Sequence, residues 1–144
     1  MREIMIHRFK ISCTKDSLKA IRCFVNETLN TYAIPEIEAN MLVLAVDEIC
    51  ANRIIHSNHN DQSLYLEVVI KKEDNQDIIF EIIDAGVPFD VINYTEPNLV
   101  QLIQDKRKGG LGLMLVKRIM DAVEVTTIDN LSVFRMYKKL PLAS

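Results

Sequence analysis

The sequence is poor in the features that mark a secreted or membrane-bound protein. Its three cysteines are Cys13, Cys23 and Cys50, an odd number without any Cys-x-x-Cys spacing. This argues against a disulfide framework or a zinc site and favours buried thiols in a reducing compartment. Charged residues interrupt the first ten positions, and no window is apolar enough for a membrane span. We therefore expect a cytoplasmic protein without a signal peptide or a membrane segment.

The sequence also lacks an excess of positive charge. The formal net charge is −3, with 49% apolar and 26% charged residues. This balance is ordinary for a globular protein, and it gives no basic footprint for nucleic-acid binding. A chain of 144 residues is long enough to bury a hydrophobic core, so we expect a single domain over residues 1–144.

Hydrophobic periodicity predicts a two-layer fold. Alternating segments predict five strands, over residues 4–13, 64–72, 78–84, 123–128 and 132–138. Helical spacing predicts one helix from Ser17 to Tyr32, a second that starts at Pro35 and a third over residues 111–121. Residues 87–109 read as a long loop with a short helical turn near 99–103. Segregated helices and strands predict an α/β protein of the α+β two-layer sandwich type, with a mostly antiparallel sheet.

Glycine is scarce, and its placement is informative. The four glycines, Gly86, Gly109, Gly110 and Gly112, all flank the long loop. The segment from Lys108 through Leu111 to Gly112 lies where the third helix begins, directly after Lys106 and Arg107. A helix N-terminus with free N–H groups is an anion site, and glycine lets a ligand approach the backbone. The segment 108–112 is therefore a candidate phosphate cradle, and the alternative is a flexible loop with a solvated charge run.

A second candidate element ends the third predicted strand. Asp84 follows an apolar run and precedes Ala85 and Gly86. A half-buried carboxylate needs a hydrogen-bond donor, and an adenine amino group is such a donor. Gly86 would let the backbone approach the base. A plain strand-ending turn explains the same residues equally well.

A third candidate element lies on the second helix. Glu48, Asn52 and His56 share one face, at a spacing of four residues. We expect that face to continue an inward apolar stripe through Met41 and Leu44, where polar groups are costly unless they have a function. Asn52 supplies an oxygen ligand suited to Mg²⁺, and Glu48 can act as a general base. For His56 we favour an ordinary helix-terminal histidine over a metal ligand.

These three elements together resemble the GHKL superfamily of histidine-kinase-like ATPases. The segment from Glu48 to His56 resembles its N-box, residues 84–90 its first glycine box, and residues 110–116 its second. The resemblance covers nearly the whole chain, and the short single domain looks most like the anti-sigma-factor serine kinases of bacteria. It implies a Bergerat-type ATP-binding fold with helices on one face of a mixed, mostly antiparallel sheet.

The resemblance also implies roles for individual residues. Glu48 would be the general base, and Asn52 would hold Mg²⁺. Asp84 would accept the adenine amino group, with Gly86 against the base. Gly110 and Gly112 would shape the phosphate-binding loop. Ser132 falls near a family threonine that assists adenine binding.

Three functions follow as hypotheses. The first is an ATP- and Mg²⁺-dependent protein-serine kinase that sequesters a sigma factor as a homodimer and phosphorylates a small anti-sigma-factor antagonist. The second is an ATP-binding switch that holds a partner without phosphoryl transfer. The third, the ATP-binding half of a sensor histidine kinase, is disfavoured because we see no dimerisation helix before residue 14. Glu48 favours the first, whereas two departures from the family pattern, Arg53 and Leu131, keep the second open. Phe9 and Phe24 are candidates for a subunit contact or for the core.

Overall fold

The computed structural model describes residues 4–73, 77–86 and 110–140. It contains five strands and three α-helices in these ranges. The strands are β1 (Ile4–Ser12), β2 (Tyr65–Glu73), β3 (Asp77–Asp84), β4 (Ala122–Ile128) and β5 (Leu131–Lys139). The helices are α1 (Ser17–Thr31), α2 (Glu36–Asn52) and α3 (Gly110–Ile119), and a π-helical turn, Arg53–Ser57, follows α2.

The strands form one sheet in the order β1-β2-β3-β5-β4, and every neighbouring pair is antiparallel. The apolar residues of α1, α2 and α3 share a core with one face of this sheet. The predicted two-layer sandwich is therefore confirmed, with boundaries that differ from the sequence-based ones by one or two residues. The predicted loop over 87–109 and its short helical turn lie outside the described residues. Within the described ranges, no helix has both the length and the hydropathy that a membrane span requires.

Helix α1 buries the face that its sequence predicts. Ile21, Val25 and Leu29 are fully buried, at the expected spacing of four residues. Phe24, one position before Val25, is only partly buried and stacks on Phe9 of β1, with ring centroids 5.2 Å apart. Both phenylalanine rings pack against the core, which favours the core alternative for this pair.

Helix α2 buries a different face from the expected one. The expected inward stripe is exposed at Ile37 (79%), Met41 (45%) and Leu44 (42%). The helix is apolar nearly all round, so two stripes with helical spacing compete for the core. The stripe that wins packs against α1, α3 and the sheet, and it consists of Ala39, Leu42, Ala45, Val46, Ile49 and Cys50. The predicted apolar stripe was therefore wrong at Ile37, Met41 and Leu44, whereas Ala45 and Ile49, which it also included, are buried. Glu48 lies beside the core, partly accessible to solvent.

The face of the sheet away from the helices carries a charged network. Glu81 on β3 is nearly buried and receives Lys71 Nζ at 3.0 Å and Arg135 Nη2 at 2.6 Å. Although burial opposes the charged form, these two cations hold the pKa of Glu81 below its ordinary value. Arg135 also reaches Glu124 on β4, at 3.2 Å. The network links the four neighbouring strands β2, β3, β5 and β4 and lets this face of the sheet meet water.

Asp129 and Asn130, rather than glycine, form the turn between β4 and β5. Asp129 and Asn130 both adopt left-handed conformations, with φ of 51° and 66°. A two-residue hairpin turn requires positive φ at both central positions, and Asp and Asn tolerate it. This hairpin is thus closed without glycine, and none of the chain's four glycines lies in it.

Candidate functional site

A buried ion pair lies at the end of β3. Arg53 donates from Nε to Asp84 Oδ2 at 2.7 Å and from Nη2 to Asp84 Oδ1 at 2.8 Å. The two residues are 1% and 2% exposed. A two-pronged guanidinium–carboxylate pair is strong because both hydrogen bonds are charge-assisted and their geometry matches. Asp84, whose carboxylate is expected to accept a hydrogen bond from the adenine amino group, is thus already paired with Arg53.

Helix α2 places Arg53 in this position. Ile49 and Cys50, which precede Arg53 by four and three residues, are both buried, so Arg53 continues the core-facing stripe. The helix then widens into the π-helical turn, in which the Asn58 N–H bonds to the Arg53 carbonyl at 2.9 Å. The Asn58 side chain donates to the same carbonyl at 2.7 Å and to Asp84 Oδ1 at 3.3 Å. Single π-helical turns of this kind occur often at functional sites.

Gly86 closes a turn around the same carboxylate. Its N–H donates to Asp84 Oδ1 at 2.7 Å, which is the side-chain turn that aspartate often forms at strand ends. A Cβ built on Gly86 would lie 2.9 Å from Asp84 Oδ1 and 3.1 Å from Arg53 Nη2. Glycine is therefore required here because the ion pair approaches so closely.

Glu48 and Gly112 form the second part of the site. Glu48 lies on the face of α2 next to α3, and a Cβ built on Gly112 would lie 2.8 Å from Glu48 Oε2. Gly112 is the third residue of α3, so the carboxylate lies against the first turn of that helix. Burial, and then the neighbouring charge of Asp47, raises the pKa of Glu48 above its ordinary value. A carboxyl group with a raised pKa beside a helix N-terminus is a candidate acid–base group.

Three further residues that the sequence singled out lie in the described part of the chain and differ in burial. Asn52 ends α2, one turn beyond Glu48, and is half-buried. His56 is exposed in the last turn, which fits a helix-terminal histidine. Ser132 is buried and lies directly opposite Asp84 across the β3–β5 ladder.

The phosphate-cradle segment is described only in part. Gly110 opens α3, and the backbone of Leu111 lies in its first turn. Lys108 and Gly109 lie outside the described residues, as do Lys106 and Arg107. Their predicted phosphate contacts therefore stay predictions.

The donor set on α2 fits a magnesium ion. Asn52 offers an amide oxygen one turn beyond Glu48 on the same helix face, and both side chains are partly accessible to solvent. Mg²⁺ prefers such donors and completes its shell with water and phosphate oxygens. In the part of the chain that the structure describes, no three His, Cys, Asp or Glu side chains cluster around a possible metal position. Any Mg²⁺ held here would therefore depend on a bound phosphate for several of its ligands.

Nucleotide phosphates fit the start of α3. Its first N–H groups have no partner inside the helix, and Gly110 and Gly112 add no side chain to that turn. The base side differs from the expectation, because Arg53 holds both oxygens of Asp84. The site thus combines a helix N-terminus beside Glu48 with a base end occupied by an ion pair.

The segment 48–56 contacts Gly86 through Arg53 and Gly112 through Glu48, and comparison with known proteins assigns the family of the chain. The family model described as the histidine kinase-like ATPase domain matches residues 11–138. The chain belongs to this family. Histidine kinase-like ATPase domains are nucleotide-binding modules, which agrees with the GHKL resemblance of the sequence.

One relative has a name that is more specific than the family description. The chain is 33% identical over 88 residues to the anti-sigma F factor of Clostridium beijerinckii. The match covers 61% of this chain and 61% of that protein, so it spans less than two thirds of the relative. It covers the greater part of the histidine kinase-like ATPase domain described above.

Two solved structures share the fold. The RsbU and RsbW domains of Rv1364c from Mycobacterium tuberculosis superpose with a TM-score of 0.68 at 12% identity, covering 94% of this chain and 32% of that chain. The SiaB–SiaC complex from Pseudomonas aeruginosa gives a TM-score of 0.63 at 13% identity, covering 92% of this chain and 87% of that chain. At these identities the likeness establishes the fold alone.

Sequence reasoning missed the partner of Asp84. It noted Arg53 only as a departure from the family pattern and did not pair it with a residue 31 positions away. The helical spacing contained the information, because it places Arg53 on the same face as Ile49 and Cys50. A cation on a face that packs in the core needs a buried anion. Asp84, at the end of an apolar strand, was the matching anion.

Proposed function

We propose that this chain is a Mg²⁺- and ATP-dependent protein-serine kinase that acts as an anti-sigma factor. The observation that carries the proposal is the contact between Glu48 and Gly112, because it puts a carboxylate beside a helix N-terminus suited to phosphates. Membership of the histidine kinase-like ATPase family supports nucleotide binding at this place. The relative named anti-sigma F factor supports the regulatory role.

Glu48 is positioned to serve as the general base. In the proposed reaction its carboxylate takes the proton of a serine hydroxyl, while the serine oxygen bonds to the γ-phosphorus and the bond to ADP breaks. Burial raises the pKa of Glu48, which makes the carboxylate a better proton acceptor than an exposed glutamate. Asn52 would hold Mg²⁺, which would neutralise phosphate charge when bound.

The partners in this proposal are proteins. A small domain that binds a nucleotide needs another protein to carry its output, and the names of the relatives supply the class of partner. We assign a sigma factor as the sequestered protein and a small anti-sigma-factor antagonist as the phosphorylated one, with the kinase acting as a homodimer. The SiaB–SiaC complex is a fold neighbour that has a protein partner.

A second candidate function is an ATP-binding switch without phosphoryl transfer. The Arg53–Asp84 pair favours it, because the base end of the site is held closed by an internal partner. A nucleotide that is bound with a changed base contact can still shift the conformation of the surface that holds the partner. The absence or presence of phosphoryl transfer separates the two functions.

The test is a transfer assay with γ-labelled ATP, Mg²⁺ and candidate serine-bearing antagonists. The kinase proposal predicts label on an antagonist serine with the wild-type chain. It also predicts that Glu48→Gln slows transfer about 100- to 10,000-fold while ATP still binds. Transfer at an undiminished rate in Glu48→Gln removes Glu48 from the base role. ATP binding and partner capture without any transfer selects the switch.

A further inference from the structure

The ion pair at the end of β3 changes what the base end of the site can recognise. Asp84 Oδ1 accepts three hydrogen bonds, from Gly86 N at 2.7 Å, Arg53 Nη2 at 2.8 Å and Asn58 Nδ2 at 3.3 Å. Its Oδ2 accepts one from Arg53 Nε at 2.7 Å. A carboxylate has about four acceptor positions, so its capacity is almost fully used by the protein itself.

The same pair leaves a surplus of donors. A guanidinium has about five N–H groups, and Asp84 takes one from Nε and one from Nη2 of Arg53. Counting the hydrogen bonds among the described residues, the pair as a unit has more unused donors than unused acceptors. A base placed against the pair would meet N–H donors more often than acceptors, so the pair favours a ligand that brings an acceptor.

The unused donors of Arg53 lie close to the place where the nucleotide base is expected. Arg53 Nη2 lies 3.1 Å from the place where a Cβ on Gly86 would be, and the family resemblance lays that glycine against the base. A purine offers a hydrogen-bond donor at position 6 when it is adenine, but an acceptor there when it is guanine or hypoxanthine. The guanidinium matches the oxygen and repels the amino group.

We propose that Arg53 is a specificity-determining residue, and that it makes the site accept purine nucleotides with an oxygen at position 6 at least as well as ATP. This inference rests on the proposed nucleotide site. It concerns only base selection, and it leaves the phosphate end at α3 and the role of Glu48 unchanged. The expected ligands are therefore purine nucleoside triphosphates whose base presents a hydrogen-bond acceptor at position 6.

The experiment measures the Kd of ATP, ITP and GTP for the wild-type chain by calorimetry in the presence of Mg²⁺. ITP isolates position 6, because hypoxanthine has the oxygen but lacks the 2-amino group of guanine. We expect ITP and GTP to bind as tightly as ATP or more tightly. Wild-type binding of ATP at least tenfold tighter than ITP overturns the inference, and this measurement requires no variant.

A variant then assigns the effect to the guanidinium. Arg53→Ala returns the acceptor positions of Asp84 to the ligand, so we expect the ratio of ATP to ITP affinity to rise about tenfold or more. Arg8→Ala removes an exposed arginine, paired to Glu67 on the sheet, and should leave the ratio unchanged. An unchanged ratio in folded Arg53→Ala overturns the inference.

Failure of the proposed function has a different signature. If neither wild type nor Arg53→Ala binds any of the three nucleotides, the nucleotide site itself is wrong, and the inference falls with it. If ATP binds only to Arg53→Ala, Arg53 blocks the site rather than selecting the base, and the inference alone is overturned.

Discussion

Glu48 and Gly112 lie in contact across the interface between α2 and α3. A Cβ on Gly112 would be 2.8 Å from Glu48 Oε2, so any larger residue at this position would displace the carboxylate from the first turn of α3. The contact joins the candidate base to the candidate phosphate-binding turn. Small changes at Gly112 should therefore alter chemistry more than stability.

Gly112→Ala is expected to reduce phosphoryl transfer while the fold keeps its stability. The new methyl group displaces the end of the flexible Glu48 side chain, whereas alanine in a helix gains up to about 1 kcal/mol over glycine. Urea unfolding and the transfer rate measure the two effects. Gly86→Ala is the contrasting variant, because its methyl meets a buried ion pair and should cost about 1–3 kcal/mol of stability. Equal losses of stability in both variants would contradict this difference.

Replacing the arginine of the buried pair should be costly. Arg53→Ala leaves the Asp84 carboxylate buried without its cation, and we expect a loss of about 3–5 kcal/mol in the free energy of unfolding. Arg22→Ala, which breaks an exposed pair with Asp47, should cost about 1 kcal/mol or less. Chemical denaturation compares them. In the double variant Arg53→Ala with Asp84→Ala, part of the loss should be recovered, and strict additivity would argue against a coupled pair.

The raised pKa of Glu48 predicts a stability difference that depends on pH. Because the folded-state pKa lies above the unfolded value, the folded state loses stability as the pH rises from the unfolded-state pKa to the folded-state pKa, and the full penalty remains above it. Below about 4.5, the ordinary pKa of the group, the penalty disappears because both states are protonated. Glu48→Gln should therefore stabilise the chain relative to wild type at pH 7, and this advantage should shrink as the pH falls towards 4.

Unfolding by urea at pH 7 and at pH 4 measures this advantage. Glu27→Gln on the exposed side of α1 controls for the removal of a carboxylate as such. An advantage of Glu48→Gln that is larger at pH 4 than at pH 7 has the wrong sign for a carboxyl whose pKa is raised by burial.

The sequence predicted the order of the elements and the sandwich, because alternating strands and helical stripes are local patterns. It misassigned part of the face of α2, since Met41 with Leu44 and Leu42 with Val46 both follow a helical spacing of three or four residues. Only packing against α1 and α3 decides between two stripes of equal period. Arg53 and Asp84 were recognised separately, but their pairing depends on tertiary contact between α2 and β3.

Two leucines on α2 test the corrected face. Leu42 is fully buried and Leu44 is 42% exposed, although they differ by only two positions. Leu42→Ala should cost about 2–5 kcal/mol of unfolding free energy, whereas Leu44→Ala should cost about 0.5 kcal/mol or less. Chemical denaturation of the two variants gives the comparison. The reverse order would restore the inward stripe that the sequence suggested.

The central claim is a site that binds a nucleotide through Mg²⁺ at Asn52 and the start of α3. The most direct measurement is calorimetric titration of ATP into the wild-type chain and Asn52→Ala, each with Mg²⁺ and with EDTA. We predict saturable one-to-one binding by the wild type with Mg²⁺, weakened in EDTA. Folded Asn52→Ala should bind weakly in both conditions, because the metal-dependent part is lost. Absence of ATP binding by the folded wild-type chain at millimolar nucleotide with Mg²⁺ would contradict the account.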